Sequence, residues 1–276
     1  MSSISVLMSV YKSEKPEYLS CALKSIWSDQ ILKPNEIILI KDGPLGKDLE
    51  EVINQWQTII GLSLKLLVNE ENIGLTKSLN KGIKAATGDY IARMDSDDIS
   101  LPARFKLQYE YMESNHEIIC LGGGMQEIDE NNKNGAIRIY PENNKNIKEY
   151  IVKANPLAHP TTFIRRSIFL LGYQYDERYR KNQDLKLWFD LLRDGFILHN
   201  LPDIVLKFRR TSDTYKKRSN KISLKSELEI YDKGICELYG KRSIKRVLPY
   251  IRFLIKSMPP SINRFIYTHL FKKNNQ

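Results

Sequence analysis

The chain has 276 residues, 42% of them apolar, which is enough to bury one substantial core and too many for a disordered protein. Its formal charge of +10 is unevenly spread: residues 241–276 carry nine Lys or Arg and no Asp or Glu, so attraction to polyanions is concentrated at the C-terminus. Three scattered cysteines, Cys21, Cys120 and Cys236, form no C-x-x-C pair, which argues against a disulfide framework or a structural zinc site.

The N-terminus lacks the basic region and cleavage site of a signal peptide, and no run approaches the ~18–20 apolar residues of a membrane span. The expectation is a soluble or peripheral protein of the cytoplasm.

In chain order, four β-branched runs alternate with helical patterns. SISVLMSV (3–10), NEIILIKD (35–42), LKLLVNE (64–70) and DYIARMD (89–95) predict strands, and residues 18–27, 49–60, 75–86 and 102–114 predict the helices that follow them. In the third helix Leu75, Leu79 and Ile83 recur on one face, and Gly88 stands where a C-terminal cap is expected. The alternation predicts an α/β fold with a Rossmann-like, mostly parallel sheet. Such sheets bind ligands beyond the carboxyl ends of their strands. That singles out Tyr11 and Lys12, Asp42 and Gly43, the stretch 69–74, and the cluster Asp95, Asp97 and Asp98.

Three carboxylates within four positions repel one another unless a cation sits among them or each faces water. Hard divalent cations prefer oxygen ligands, and Mg2+ is usually held by one or two carboxylates together with phosphate oxygens. The cluster therefore fits a metal-diphosphate site, leaving Asp42 to accept hydrogen bonds from a base or a ribose. No G-x-G-x-x-G or G-x-x-x-x-G-K-[ST] occurs, so the phosphates lack a glycine-rich cradle. Plainer readings stand beside these. Asp98 and Ser100 ahead of Pro102 suit a helix start, Asp42 followed by Gly43 and Pro44 suits a turn, and Asp184 suits the first turn of a helix through Leu187, Leu191 and Leu192. The run Gly122 to Gly124 indicates close backbone approach or a bend in a strand, since no helix start follows it.

ISVLMSVYKSEKPEYLSCALKSIWSDQ, NEIILIKDGP, NIGLTKSLNKGIKAATGDYIARMDSDDISLPARF and HPTTFIRRS followed by NQDLKLWFDLL resemble, in order and spacing, the inverting glycosyltransferase family 2 with its GT-A fold. The resemblance spans residues 3–210. It implies that Tyr11 packs on the nucleotide base and Asp42 hydrogen-bonds uracil. It also implies that Asp95 and Asp97 form the D-x-D motif, Asp97 being the more direct ligand of Mn2+ or Mg2+, and that Asp184 is the catalytic base. Direct displacement needs a base on one side of the anomeric carbon and a charge sink on the other, which these two positions would supply.

Several positions depart from the family pattern. Lys12 replaces an asparagine, Leu79 an arginine, Gln183 the first member of an acidic pair, and Thr211 a histidine; Lys77 and Arg93 are then the candidates for diphosphate contacts. His159 lies in the segment the family uses near the acceptor, where it would bind a sugar hydroxyl or a phosphate; a purely structural hydrogen bond is the plainer reading. The Q-x-x-R-W signature of processive synthases is absent, which favours transfer of one sugar per encounter.

The organisation expected is a GT-A domain over residues 1–215, with a nucleotide half (1–115) and an acceptor half (116–215), and a helical basic extension over 216–276. The tail mixes Leu, Ile, Phe and Tyr with cations, as in-plane helices on anionic lipid do. Pro259 and Pro260 would divide it into two helices. A helical pair packed on the catalytic domain and a dimerisation arm are the competing readings, and a homodimer stays open.

The function expected is metal-dependent, inverting transfer of one hexose, galactose or glucose, from a UDP-sugar to a polyprenyl-diphosphate-linked saccharide. The setting would be O-antigen, capsule or exopolysaccharide assembly, peripherally on the inner face of the bacterial inner membrane and without a nucleic-acid partner. The alternatives are a sugar-nucleotide pyrophosphorylase, which would show a glycine-rich N-terminal loop, and a non-catalytic basic nucleic-acid-binding protein.

Overall fold

The computed structural model describes residues 2–210 and 221–257. The apolar runs and helical patterns of the first 114 residues become β1 (Ile4–Val10), α1 (Pro16–Trp27), β2 (Glu36–Asp42), α2 (Lys47–Ile60), β3 (Leu64–Asn69), α3 (Leu75–Ala85), β4 (Tyr90–Asp95), a short β5 (Ile99–Ser100) and α4 (Arg104–Ser114). There follow β6 (Ile118–Ile128), β7 (Asn134–Arg138), α5 (Asn144–Tyr150), β8 (Phe163–Arg165), α6 (Ser167–Leu170), α7 (Gln183–Arg193) and β9 (Ile197–Arg209). Two further helices, α8 (Lys221–Tyr239) and α9 (Val247–Ser257), come after them.

One sheet holds the strands in the order β3-β2-β1-β4-β8-β6-β9-β5, with β7 attached to β6. β1, β2, β3 and β4 are mutually parallel. β8 runs antiparallel to both β4 and β6, so β6, and β9 parallel to it, point the same way as the first four. Six strands therefore deliver their carboxyl ends to one edge. The register keeps neighbouring ends level: Ser9 lies opposite Asp95, Asp42 opposite Asn69, and Ile128 opposite Arg209.

Strand alternation divides the core between the two faces of the sheet. Val6, Met8, Ile37 and Leu39 join Leu23 of α1 and Ile53 of α2 on one side. Leu7, Ile38 and Ile40 join Leu79 and Ile83 of α3 and Trp188 of α7 on the other.

Three local expectations meet the structure differently. α3 is capped by Ala86, and Gly88 instead lets the chain pack on β1: a Cβ there would lie 2.6 Å from Ser5 Oγ, the atom that accepts its backbone N–H at 2.9 Å. α4 starts two residues after Pro102, with Ala103 at its N-cap and no side-chain cap, so neither Asp98 nor Ser100 is spent on starting it. The triple glycine lies within β6, where a Cβ on Gly122 would fall 2.1 Å from Asn200 Oδ1 and the register with β9 shifts between Gly123 and Gly124. Close approach and a local irregularity are thus both present. Thr211, Pro259 and Pro260 lie outside the described residues.

α8 packs on α7 through a point with no spare room. A Cβ on Gly234 would sit 2.4 Å from Cγ of the buried Phe189 ring. Gly234→Ala should therefore lower unfolding stability by about 1–3 kcal/mol through overpacking, read as an earlier urea midpoint with an unchanged slope.

Candidate active site

At the carboxyl edge of the sheet lies a cleft of about 920 Å³, a volume in the range that suits a small organic ligand. It brings together Tyr11, Asp42, Arg93, Asp95, Asp97, His159 and Asp184 from five separate stretches of chain. Lys77 is not among the lining residues. It is exposed on α3, because the turn that buries Ser78 and Leu79 points the preceding side chain to solvent. A second hollow, of about 740 Å³, lies away from the strand ends, where Lys186, Asp190 and Arg193 are already paired with one another.

On the side of β1 to β3, Asp42 is buried and its carboxylate ties down the loop after β3. Its Oδ1 accepts from Ile73 N at 2.9 Å and Asn69 Nδ2 at 3.1 Å, and its Oδ2 from Gly74 N at 3.0 Å. Gly43 beside it has φ +90°, and a Cβ there would stand 2.7 Å from Asn72 N. The turn reading of this motif is therefore correct as far as it goes, and the carboxylate retains one lone-pair direction for a ligand.

The acidic cluster occupies the end of β4. One carboxylate oxygen from each of Asp95, Asp97 and Asp98 lies within 4.8 Å of the others. Burial, then the charges of Asp95 and Glu14, push the Asp97 carboxyl up to about 7. Burial, then Asp97 and Asp95, hold that of Asp98 well above the usual carboxylate range. Asp98 accepts from Arg209 N at 2.8 Å on Oδ1, while its buried Oδ2 has no partner. An oxygen-only donor set with charge to spare and an orphaned carboxylate oxygen fits a hard divalent cation such as Mg2+ or Mn2+.

Arg93 forms the floor beside this cluster. It is 3% exposed, Nη2 is ion-paired with Asp95 Oδ1, and Nε and Nη1 have no partner. Further along, Asp184 stands in the first turn of α7, after the left-handed Asn182 (φ 59°), and its Oδ2 accepts from Asn155 Nδ2 at 2.6 Å. Its surface is partly open to the cleft although protein surrounds it, and that burial raises its carboxyl, with the Leu185 N–H, the Asn155 amide and the charge of Arg93 acting in opposition. A carboxylate of raised basicity facing a cleft has the character of a general base. His159 is buried, bonded through Nε2 to the Tyr175 hydroxyl at 2.8 Å, and kept neutral by burial and by Arg93. The plain structural hydrogen bond is thus present, and the residue nevertheless lines the cleft.

Other lining residues escaped the sequence reading. Glu14 accepts from Ser96 Oγ at 2.5 Å next to the acidic cluster. Arg209 braces that cluster from β9, donating from Nε to the Asp97 carbonyl at 2.8 Å while lying over the Tyr18 ring at 4.0 Å. Glu127 pairs with both Arg138 and Arg210. On α8 and α9, Glu227 and Arg252 close the far end. None belongs to a periodic pattern or a motif, so only proximity in the fold reveals them.

An α/β enzyme cleft with an acidic, cation-ready end and a separate basic carboxylate defines a class, and comparison with known proteins fixes the family. The profile of glycosyl transferase family 2 matches residues 5–171, more than half of the chain. The amylovoran biosynthesis glycosyltransferase AmsE of Erwinia amylovora is 35% identical over 264 residues, covering 95% of this chain and 97% of that protein. The UDP-Gal:alpha-D-GlcNAc-diphosphoundecaprenol beta-1,3-galactosyltransferase of Escherichia coli is 27% identical over 270 residues, covering 98% and 96%. Among solved structures, S. aureus TarS 1-349 in complex with UDP-GlcNAc superposes with a TM-score of 0.67 at 16% identity, over 94% of this chain and 82% of that one, and shows the GT-A fold. The chain belongs to glycosyltransferase family 2 and is a glycosyltransferase, which sets aside the pyrophosphorylase and nucleic-acid-binding readings.

Proposed function

We propose that this enzyme transfers a single hexose, galactose or glucose, from a UDP-sugar to a saccharide carried on polyprenyl diphosphate, with inversion at the anomeric carbon. The observation that carries the proposal is the division of one cleft between a carboxylate cluster at β4 and a lone, raised carboxylate at α7. The E. coli relative, named for a UDP-Gal donor and a diphosphoundecaprenol acceptor, and the TarS complex with UDP-GlcNAc support the donor and acceptor classes. The relatives named for amylovoran and O-antigen biosynthesis support a role in polysaccharide assembly, and an acceptor carried on polyprenyl diphosphate would put the enzyme at the inner face of the bacterial inner membrane.

In this reading residues 1–215 form the catalytic domain and 216–276 an appended helical region. Tyr11 packs on the base and Asp42 accepts from it. Asp97, with Asp95, would hold Mn2+ or Mg2+, which would supply positive charge to the departing diphosphate. Arg93, pinned by Asp95, adds a fixed cation beneath the donor. Asp184 removes the proton of the attacking hydroxyl, and its hydrogen bond from Asn155 fixes the carboxylate in orientation. His159, neutral and immobilised by Tyr175, offers a polar edge to the acceptor.

The test is thermal unfolding with UDP, GDP, ADP or CDP, each with and without Mn2+. UDP alone among them should stabilise, and by about 2.7 kcal/mol at a hundred times its Kd. Equal shifts with all four nucleotides would overturn the UDP assignment.

A further inference from the structure

An ordinary surface helix turns its apolar side to the core, but α9 leaves most of its apolar side chains exposed. Its inward side is mixed: Pro249 is buried and Phe253 half-buried, while Arg252 pairs with Glu227 at 3.1 Å and donates to the Tyr231 hydroxyl at 3.1 Å, and just ahead of the helix Arg246 pairs with Asp232 at 2.8 Å. Its outward side is apolar. Val247, Tyr250, Ile251 and Leu254 are between 46% and 59% exposed and share an arc of about 100°; Ile244, one turn earlier, is 85% exposed. A contiguous exposed apolar stripe of this kind marks a surface that something covers.

Two observations identify the covering partner. The chain from residue 241 onward has nine Lys or Arg and no acid, which suits a negatively charged surface and makes a second copy of so basic a segment a poor fit. The helix is also continuous with the cleft. Arg252 lines it and donates to the Lys153 carbonyl, two residues before the Asn155 that holds Asp184.

We propose that the outward face of α9 lies on an anionic lipid surface, its apolar stripe at the acyl boundary and its cations at the phosphate level. The acceptor end of the cleft then opens at the bilayer, where a lipid-linked saccharide would present its sugar. The assignment rests on the glycosyltransfer reading for the identity of the acceptor, but not for the binding itself.

The experiment compares the full chain with the double variant Ile251→Glu/Leu254→Glu. Sedimentation is measured with phosphatidylglycerol-containing and with pure phosphatidylcholine vesicles, alongside melting temperature and solution mass. The wild type should sediment with the anionic vesicles and far less with the neutral ones. The variant should lose at least about tenfold in vesicle partition while keeping its melting temperature. Undiminished binding by the variant, no binding by the wild type, or equal binding to both vesicle types would overturn the proposal. So would a wild-type dimer that the variant dissociates, or a variant whose melting temperature falls because the rest of the chain covers this face. Stabilisation by UDP and Mn2+, measured in parallel, separates the two readings: its absence beside intact vesicle binding would sink the donor assignment and leave the membrane face standing.

Discussion

Asp184→Asn should lower the rate of sugar transfer by about 10²–10⁴-fold, the usual contribution of a positioned general base, while leaving stabilisation by UDP and Mn2+ unchanged. The separation is expected because the residue stands on α7, away from the acidic cluster at β4. The same change should leave the protein more stable at alkaline pH. Burial raises the Asp184 carboxyl, so the native state holds a proton more readily than the unfolded chain, and stability declines as pH rises through that raised value. A neutral amide has no such charge to bury. Activity lost together with stability gained would mark Asp184 as a functional acid kept at a structural cost; wild-type transfer by the variant would remove it as the base.

The second large effect concerns the acidic cluster. With Asp97 pushed up to about 7 and Asp98 held well above the usual carboxylate range, the metal-free protein holds protons that the unfolded chain has released by about pH 5. The sign follows: the stability these groups contribute in the absence of metal is full below about pH 4, the unfolded carboxylate range, and is lost as pH rises through about 7. Mn2+ with UDP should reverse that fall, because a cation replaces the protons as the counter-charge. Asp97→Ala should abolish the Mn2+-dependent part of the UDP stabilisation, which totals about 2.7 kcal/mol at a hundred times Kd, and flatten the pH dependence above pH 5. Melting curves of both proteins across this pH range, with and without Mn2+, check each arm. A variant that still gains as much from Mn2+ as wild type would move the metal elsewhere.

The parts of this site that the sequence revealed are those governed by short-range rules. β1 to β4 are apolar runs of six or seven residues flanked by helices of regular period, and their ends follow directly, with Asp42, Asp95 and Asp97 in place. Asp184 was legible as the opening of an amphipathic helix, and the role proposed for it comes from the family pattern. The second half of the sheet was not legible, because β8 has three residues, β5 has two, and β9 crosses Pro202 with no clean alternation. Lys77 shows the converse failure. Its distance along the chain from the nucleotide loop is short, but helical phase turns it to water, and phase relative to a cleft is a tertiary property. Arg209 and Asn155 act on the acidic cluster and on the base across 111 and 29 residues of sequence, contacts that no local pattern encodes. The exposed apolar stripe of α9 was equally hidden, since a sequence does not say which faces of a helix the protein will cover.

The most direct test of the central claim is the anomeric configuration of the product. The enzyme would be incubated with Mn2+, a UDP-α-hexose and a polyprenyl-diphosphate-linked saccharide, and the new linkage read from its one-bond C–H coupling by NMR. A β-linked hexose, formed by wild type and not by Asp184→Asn, is the expected result. An α-linked product, or release of free hexose without transfer to the lipid-linked acceptor, would contradict direct displacement with Asp184 as the base.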